Sequence, residues 1–352
     1  MTAGRPVTIS GVGTFLPSQE VTNQDLSQRL ETSDSWIAQR TGIRSRRLAD
    51  PGESASDLGI HAAHEALADA RLEAAEVDLV ICATISPDQI MPATAARVAF
   101  EIGAVNAGAC DLSAGCTGFV YALAMAAGLV ASGISDQVLV VGAEVISRIL
   151  DREDRSTAVL FGDAAGAVLV SPAVGESRIL GFDLGNDGSG ASLLSVPAGG
   201  SRLPASHATV DARQHYMHMQ GKDVYRFATR FVPESARRVL ANCGRRVEEV
   251  DLMVPHQANL RIIEGAARNI GIPLERVYTN LHRYGNTSCA SIPLCLAEAQ
   301  DEGRLKEGDL VLILGFGAGL TWGACLLQWS RQAARVRPAA VAGPAAVPEV
   351  FT

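Results

Sequence analysis

Val77-Asp78-Leu79-Val80 and Val250-Asp251-Leu252-Met253 open two stretches of this chain that run alike. Each leads into an apolar run of strand length. At a similar distance downstream comes a second apolar run ending in glycine, Val138 to Gly142 in one stretch and Leu310 to Gly315 in the other. Short continuous apolar runs bounded by Gly, Pro or Asp suit strands covered on both faces. Between the two runs, each stretch carries a turn of small residues that opens an amphipathic helix. These are Gly115-Cys116-Thr117-Gly118 before Phe119 to Leu129, and Gly285-Asn286-Thr287-Ser288 before Ile292 to Ala299. Similarity spread over blocks this long reads as a duplicated unit. Strand-like and helix-like segments alternate along the whole length, so the class is a layered α/β fold.

Duplication has a chemical consequence. It puts Cys116 and Asn286 at equivalent helix N-termini, from which both reach one central cleft. His256, in Val254-Pro255-His256-Gln257-Ala258-Asn259, follows the strand of the second half, where open α/β folds place ligand-binding residues. A helix N-terminus carries about half a positive charge and unpaired N–H groups, so it is expected to lower the pKa of the Cys116 thiol. A lone cysteine is ordinarily a small buried hydrophobe; the glycines on either side of Cys116 favour a nucleophile. Asn286 also suits an N-cap or a turn. His61, His64, His207, His215, His218 and His282 read as surface or core histidines. The loop Gly315-Phe316-Gly317-Ala318-Gly319 lacks the Lys-Ser/Thr of a P-loop. Tight backbone packing and an oxyanion hole are its two remaining readings.

With 352 residues, 47% of them hydrophobic, the chain can fill a substantial core. Its formal net charge of −8 argues against nucleic acid as a partner. An acidic partner would need a local basic patch. The apolar runs Val77 to Ile85 and Leu310 to Gly315 fall short of a membrane span of about 20 residues. The N-terminus lacks the apolar core of a secretory signal, so no membrane contact and a cytoplasmic location are expected. The seven cysteines form no C-x-x-C pair, and no metal site is expected. Three segments are expected: residues 1–175 with the nucleophile, 176–330 with His256 and Asn286, and a flexible Ala/Pro-rich tail, 331–352.

The residues named so far, with Trp36-Ile37, Arg40-Thr41-Gly42-Ile43-Arg44, Phe161-Gly162-Asp163, Pro255 to Ile263 and Gly317-Ala318-Gly319-Leu320-Thr321-Trp322-Gly323, carry a resemblance. From about Ile9 to Trp329 the sequence resembles β-ketoacyl-acyl carrier protein synthase III, a condensing enzyme of the thiolase superfamily. The resemblance implies a thiolase-like, duplicated five-layer αβαβα architecture and a homodimer. It implies that Cys116 takes an acyl group from an acyl-CoA. Malonyl-acyl carrier protein then loses carbon dioxide while His256 and Asn286 hold its thioester oxygen, and the N–H groups of Cys116 and Ala318 form the oxyanion hole. Coenzyme A thioester is substrate, and no cofactor is implied.

The same resemblance places Trp36, Arg40 and Arg155 around the nucleotide of coenzyme A, and Gly221, Tyr225 and Asn259 along its pantetheine arm. Arg226, Arg261 and Arg268 would meet the carrier protein, supplying the basic patch. Phe161 and Met91 would border the acyl pocket, Met91 reaching it from the partner subunit. Tyr225 and Met91 both stand where relatives often have Phe, and Ala318 where many have Gly. Because Met is slimmer and more flexible than Phe, primers longer or more branched than acetyl are expected. A polyketide priming ketosynthase, or a related acyltransferase acting on a hydroxyl or amine, would keep most of these residues. A degradative thiolase would need a second catalytic cysteine, and Cys325 reads as part of a buried strand.

Overall fold

Two mixed sheets with the same strand order form the middle of the molecule. The computed structural model describes residues 4–173 and 178–330. The first sheet contains β1 (Val7–Phe15), β2 (Leu79–Ala83), β3 (Gly108–Leu112), β4 (Val138–Glu144) and β5 (Ala164–Pro172), in the spatial order β1-β5-β4-β2-β3. The second contains β6 (Arg178–Asn186), β7 (Leu252–Pro255), β8 (Leu310–Gly317) and β9 (Thr321–Gln328), in the order β7-β8-β9-β6. In each sheet the strand opened by the repeated sequence runs parallel to the apolar strand that follows it, β2 with β4 and β7 with β8. Two antiparallel neighbours complete the unit, β5 and β1 in one sheet, β9 and β6 in the other. The counterpart of β3 has shrunk to one parallel bridge between Met253 and Val277. The duplicated pattern in the sequence is thus a duplicated sheet.

Helices supply the other three layers. They are α1 (Asp34–Thr41), α2 (Ala55–Ala70), α3 (Thr94–Glu101), α4 (Gly118–Ser132), α5 (Gly221–Asn242), α6 (Leu260–Ile270) and α7 (Ser291–Asp301). α2 and α3 cover the outer face of the first sheet, and α5 covers the second with α6 packed beside it. α4 and α7 lie between the sheets, touching strands of both. Position explains composition. α2 buries Leu58, Ala62, Ala66 and Ala70 on one stripe and turns His61, Glu65 and Asp69 outward, as a helix with one wet face must. The sandwiched α4 buries Phe119, Val120, Leu123, Ala126 and Val130, and is apolar nearly all round.

That composition makes Gly115–Ser132 the one described stretch apolar enough to pass for a membrane span, and 61% of it is buried between the sheets. Most of the seven cysteines are buried, as small hydrophobes ordinarily are: Cys82, Cys116, Cys289, Cys295 and Cys325 lie inside, Cys243 is half-buried, and Cys110 is exposed on the edge strand β3. The expected boundary between residues 175 and 176, and the tail from 331, lie outside the described residues.

Candidate active site

Cys116 sits in the turn between β3 and α4, and the glycine loop between β8 and β9 lies against it. Two glycines permit this contact. A Cβ on Gly317 would stand 2.3 Å from the Cys116 nitrogen, and one on Gly115 would stand 2.4 Å from the Ala318 nitrogen. Gly115 also has φ of +58°, in the left-handed region that glycine tolerates best. The backbone nitrogens of Cys116 and Ala318 therefore occupy one small region. Thr321 holds the two loops together, its Oγ1 lying 2.8 Å from the Ala114 carbonyl oxygen and 2.9 Å from Thr117 Oγ1.

His256 follows β7, where its N–H donates to the Leu314 carbonyl at 2.7 Å. The side chain is only 1% exposed, edge-on to Phe316, with Nδ1 2.7 Å from Ser291 Oγ. Burial pulls its pKa down to about 3, so the ring is neutral across the physiological range. Asn286 comes from the second half but is held by the first: its N–H donates to Leu160 at 2.8 Å, and its carbonyl accepts from Gly162 at 3.1 Å. Its side-chain Oδ1 accepts the Ser288 N–H at 2.9 Å, which leaves the amide Nδ2 to donate elsewhere.

Cys116 corrects one expectation. Burial pushes its thiol up to about 12, opposed by a hydrogen bond with the Ser288 side chain and reinforced by the Glu144 charge. A helix N-terminus contributes at most about 2 kcal/mol toward the thiolate. Desolvation of a fully buried thiol exceeds that, so the free protein holds Cys116 as a thiol.

Cys116, His256 and Asn286 border one narrow cavity of about 150 Å³, whose walls include Gly221, Tyr225 and Asn259. A larger space of about 880 Å³ lies on another side of Cys116, lined by Leu112, Phe161, Leu194, Met217 and Ala318 among others. Phe161 and Leu194 border both. On α1, Trp36 is flanked by the guanidinium groups of Arg40 and Arg155, at 4.9 and 4.8 Å from its ring centre. Asn259 caps α6 by accepting the Arg261 N–H at 2.9 Å, and its Nδ2 donates to the Arg40 carbonyl at 3.1 Å, tying α1 to the cavity wall. Arg226, Arg261 and Arg268 are exposed on the paired helices α5 and α6. Arg226 and Arg268 form surface ion pairs with Asp223 and Glu264, contacts too weak to preclude exchange for another anion. Met91 borders neither cavity; it stands 83% exposed beside Ile90, which is 89% exposed.

Comparison with known proteins settles the family. The model for 3-oxoacyl-[acyl-carrier-protein] synthase III matches residues 110–188, and the model for its C-terminal part matches residues 240–329. A β-ketoacyl-[acyl-carrier-protein] synthase III of Symbiobacterium thermophilum is 51% identical, covering 93% of this chain and 99% of the relative. The chain belongs to the β-ketoacyl-acyl carrier protein synthase III family. It is accordingly an acyltransferase of the condensing type. Among solved structures, the synthase III of Thermus thermophilus is 45% identical with a TM-score of 0.86, covering 92% of this chain and 99% of that one. The priming β-ketosynthase of the R1128 polyketide pathway is also similar, 37% identical with a TM-score of 0.85, covering 93% and 98%.

Four residues of this synthase III site escaped the sequence reading. Thr321 and Ser288 were quoted only within motifs, and Ser291 and Glu144 were passed over. Glu144 ends β4 fully buried, accepting from Ser86 Oγ at 2.6 Å and Thr84 Oγ1 at 3.2 Å, and burial raises its pKa. A carboxylate ending an all-apolar strand was the available clue. Ser288 and Ser291, three residues apart beyond Asn286, were a second.

Proposed function

We propose that this chain catalyses the decarboxylative Claisen condensation of an acyl-CoA primer with malonyl-acyl carrier protein, forming β-ketoacyl-acyl carrier protein and initiating fatty acid synthesis. The observation that carries this reading is the cavity on which Cys116, His256 and Asn286 meet, one from the half formed by residues 1–175 and two from the half formed by 176–330.

Cys116 Sγ attacks the primer thioester, and the N–H groups of Cys116 and Ala318 receive the charge on the carbonyl oxygen. The Sγ proton leaves with coenzyme A as its thiol. The malonyl thioester then occupies the same channel, where Asn286 Nδ2 and His256 donate to its oxygen. Carbon dioxide leaves, and the resulting carbanion attacks the acyl-cysteine, whose oxygen returns to the Cys116 and Ala318 donors. As the new carbon–carbon bond forms, the Sγ–acyl bond breaks, and the Cys116 thiolate, left with the charge that the malonyl carboxylate brought in, takes up a proton from solvent. A neutral imidazole whose pKa burial holds near 3 suits this task, because it can donate a hydrogen bond to the developing charge while being too weak a base to activate water against the acyl-enzyme. The side chains carry these steps with coenzyme A thioester as substrate, and no cofactor is invoked.

Trp36, Arg40 and Arg155 are assigned to the nucleotide, Gly221, Tyr225 and Asn259 to the pantetheine arm, and Arg226, Arg261 and Arg268 to the carrier protein. The working form is taken as a cytoplasmic homodimer. Exposed Ile90, Met91, Phe100 and Val105 lie in the segments leading to the open edge strand β3, an apolar surface that a second copy would cover. Met91 of the partner subunit would then help close the acyl space. That space, lined largely by apolar side chains, suits a primer longer or more branched than acetyl.

The test is a reaction of acetyl-, isobutyryl- and octanoyl-CoA with malonyl-carrier protein, following β-ketoacyl product and carbon dioxide. Equal yields of both support the assignment, with the longer primers preferred. Acyl transfer to a hydroxyl or amine without carbon dioxide would replace condensation by simple acyl transfer. The likeness to a priming polyketide ketosynthase favours a second reading, the same condensation in a polyketide pathway. Growth of a strain lacking the gene separates the two, since a fatty-acid initiator is needed for lipid supply.

A further inference from the structure

Phe161 borders a third cavity besides the two that reach Cys116. This one holds about 130 Å³, and its walls come from the hairpin of Gln19–Thr22 and Ser45–Leu48, the short helix after Thr22, and the segment from Ser147 to Phe161. None of Trp36, Arg40 and Arg155 lines it. Leu26, Leu30, Leu48 and Leu150 give it an apolar surface, yet three arginines also line it, Arg29, Arg46 and Arg152, with no Asp or Glu among them.

Arg46 is only 1% exposed. Its Nη1 donates to the Val21 carbonyl at 3.2 Å and to Asn23 Oδ1 at 3.0 Å, and its Nη2 to the Val159 carbonyl at 2.8 Å, while Nε has no partner among the described residues. Burial lowers its pKa only to about 10, so the guanidinium is charged at neutral pH. Buried charges are ordinarily paired, and uncharged oxygens leave this one without a counter-charge. Arg29 and Arg152 are exposed and make no side-chain hydrogen bond or ion pair among the described residues. Asp25, whose charge Arg29 feels, is engaged by Thr22, and Asp163 lies behind Ser147, whose Oγ donates to it.

Size and polarity together select an occupant. The volume suits about four water-sized groups, well short of a drug-sized or cofactor ligand. The positive charges call for an anion, and the leucines for an alkyl body.

We propose that this cavity binds a short-chain carboxylate of about four carbon atoms, its head group held by Arg29 and Arg152 in the field of Arg46 and its chain against the leucines. Such an acid is what hydrolysis of a short acyl thioester leaves behind. Because Phe161 is a wall of both this cavity and the acyl space, an occupied cavity denies the ring room to yield to a bulky primer. Bound carboxylate therefore hinders octanoyl-CoA and spares acetyl-CoA. That effect rests on the condensation reading above, and the binding does not.

The experiment titrates the full chain with 13C-labelled butyrate and reads binding by NMR line broadening. Saturable binding is expected, weakened about tenfold by the exposed double change Arg29→Gln with Arg152→Gln. Butanol, which has the chain without the charge, and inorganic phosphate, which has the charge without the chain, should both bind more weakly than butyrate. In parallel, Cys116 acylation is followed by intact mass. Butyrate should raise KM for octanoyl-CoA several-fold and leave acetyl-CoA unchanged, and should do neither in the double variant, whose rates without butyrate match the wild type. Failure of butyrate to bind overturns the proposal. So does equal binding by the double variant, which would put the acid in the acyl space, or phosphate binding as tight as that of butyrate. Binding that the double variant loses, with octanoyl-CoA unaffected, sustains the site and overturns the link through Phe161. Butyrate binding by a protein that neither thioester acylates sustains the site and overturns the condensation reading instead.

Discussion

Asn286 Oδ1 accepts the Ser288 N–H at 2.9 Å, and that single bond decides which end of the amide is free to donate. The first prediction follows from it. Asn286→Asp keeps the size and the Ser288 contact but replaces the Nδ2 donor with a charged acceptor. Condensation should fall by about 100- to 1,000-fold, while acylation of Cys116 by acyl-CoA stays near its wild-type rate. Single-turnover assays of each half-reaction check this, and condensation within tenfold of wild type would remove Asn286 from the thioester site.

Acid stability should report the burial of His256. Its pKa is about 3 in the folded protein, against about 6.5 for an unfolded histidine. Between those values the unfolded chain takes up a proton that the folded chain refuses. Stability from this group is therefore complete above about pH 6.5 and is lost as pH falls toward 3. Glu144 and Asp163, both raised by burial, act with the opposite sign, so the measurement is a difference. Going from pH 7 to 4.5, wild type should lose on the order of 2 kcal/mol more than His256→Gln in denaturant melts. Parallel losses would show that His256 is protonated at little cost.

Alkylation of Cys116 should be slow at neutral pH. With burial holding the thiol near 12, the iodoacetamide rate should rise about tenfold per pH unit from 7 to 9.5, because only the thiolate reacts. Mass spectrometry locates the adduct. A plateau with a midpoint near pH 7 would mean that the helix N-terminus outweighs desolvation.

Gly317→Ala should damage both acylation and stability. The added Cβ would stand 2.3 Å from the Cys116 nitrogen, so the two loops must separate. Overpacking of this kind costs about 1–3 kcal/mol, and misplacing an oxyanion donor costs about 100-fold in rate. A variant that acylates at the wild-type rate would place the oxyanion hole elsewhere.

Trp36→Ala should act on binding alone. The ring between Arg40 and Arg155 offers a stacking surface for a base, and a base–aromatic stack is worth about 1–3 kcal/mol. KM for acyl-CoA should rise about tenfold with kcat unchanged, and an acyl thioester lacking the nucleotide should be used equally by both proteins. An equal loss with the truncated substrate would make Trp36 a packing residue.

Much of this architecture was legible in the sequence because its cues are local. The Val77 and Val250 blocks, the apolar run Val138 to Gly142 and the small-residue turns at Cys116 and Asn286 each show their role in adjacent residues, and the paired sheets follow that order. Ser291 and Glu144 act through contacts that no local pattern displays. Ser291 reaches His256 across 35 positions, and Glu144 reaches Ser86 across 58. The sign of the Cys116 shift was misjudged for a similar reason: a helix N-terminus can be read from a turn and an apolar run, whereas burial between two sheets is a property of the whole fold.

The central claim is that Cys116 carries the acyl group between two thioesters. Its most direct test is the intact mass of the protein after acyl-CoA is added, and again after a chase with malonyl-carrier protein. One acyl adduct on Cys116 is expected, absent from Cys116→Ala and discharged by the chase with one carbon dioxide per β-ketoacyl product. No adduct on the wild-type protein, or an equal adduct on Cys116→Ala, would contradict it.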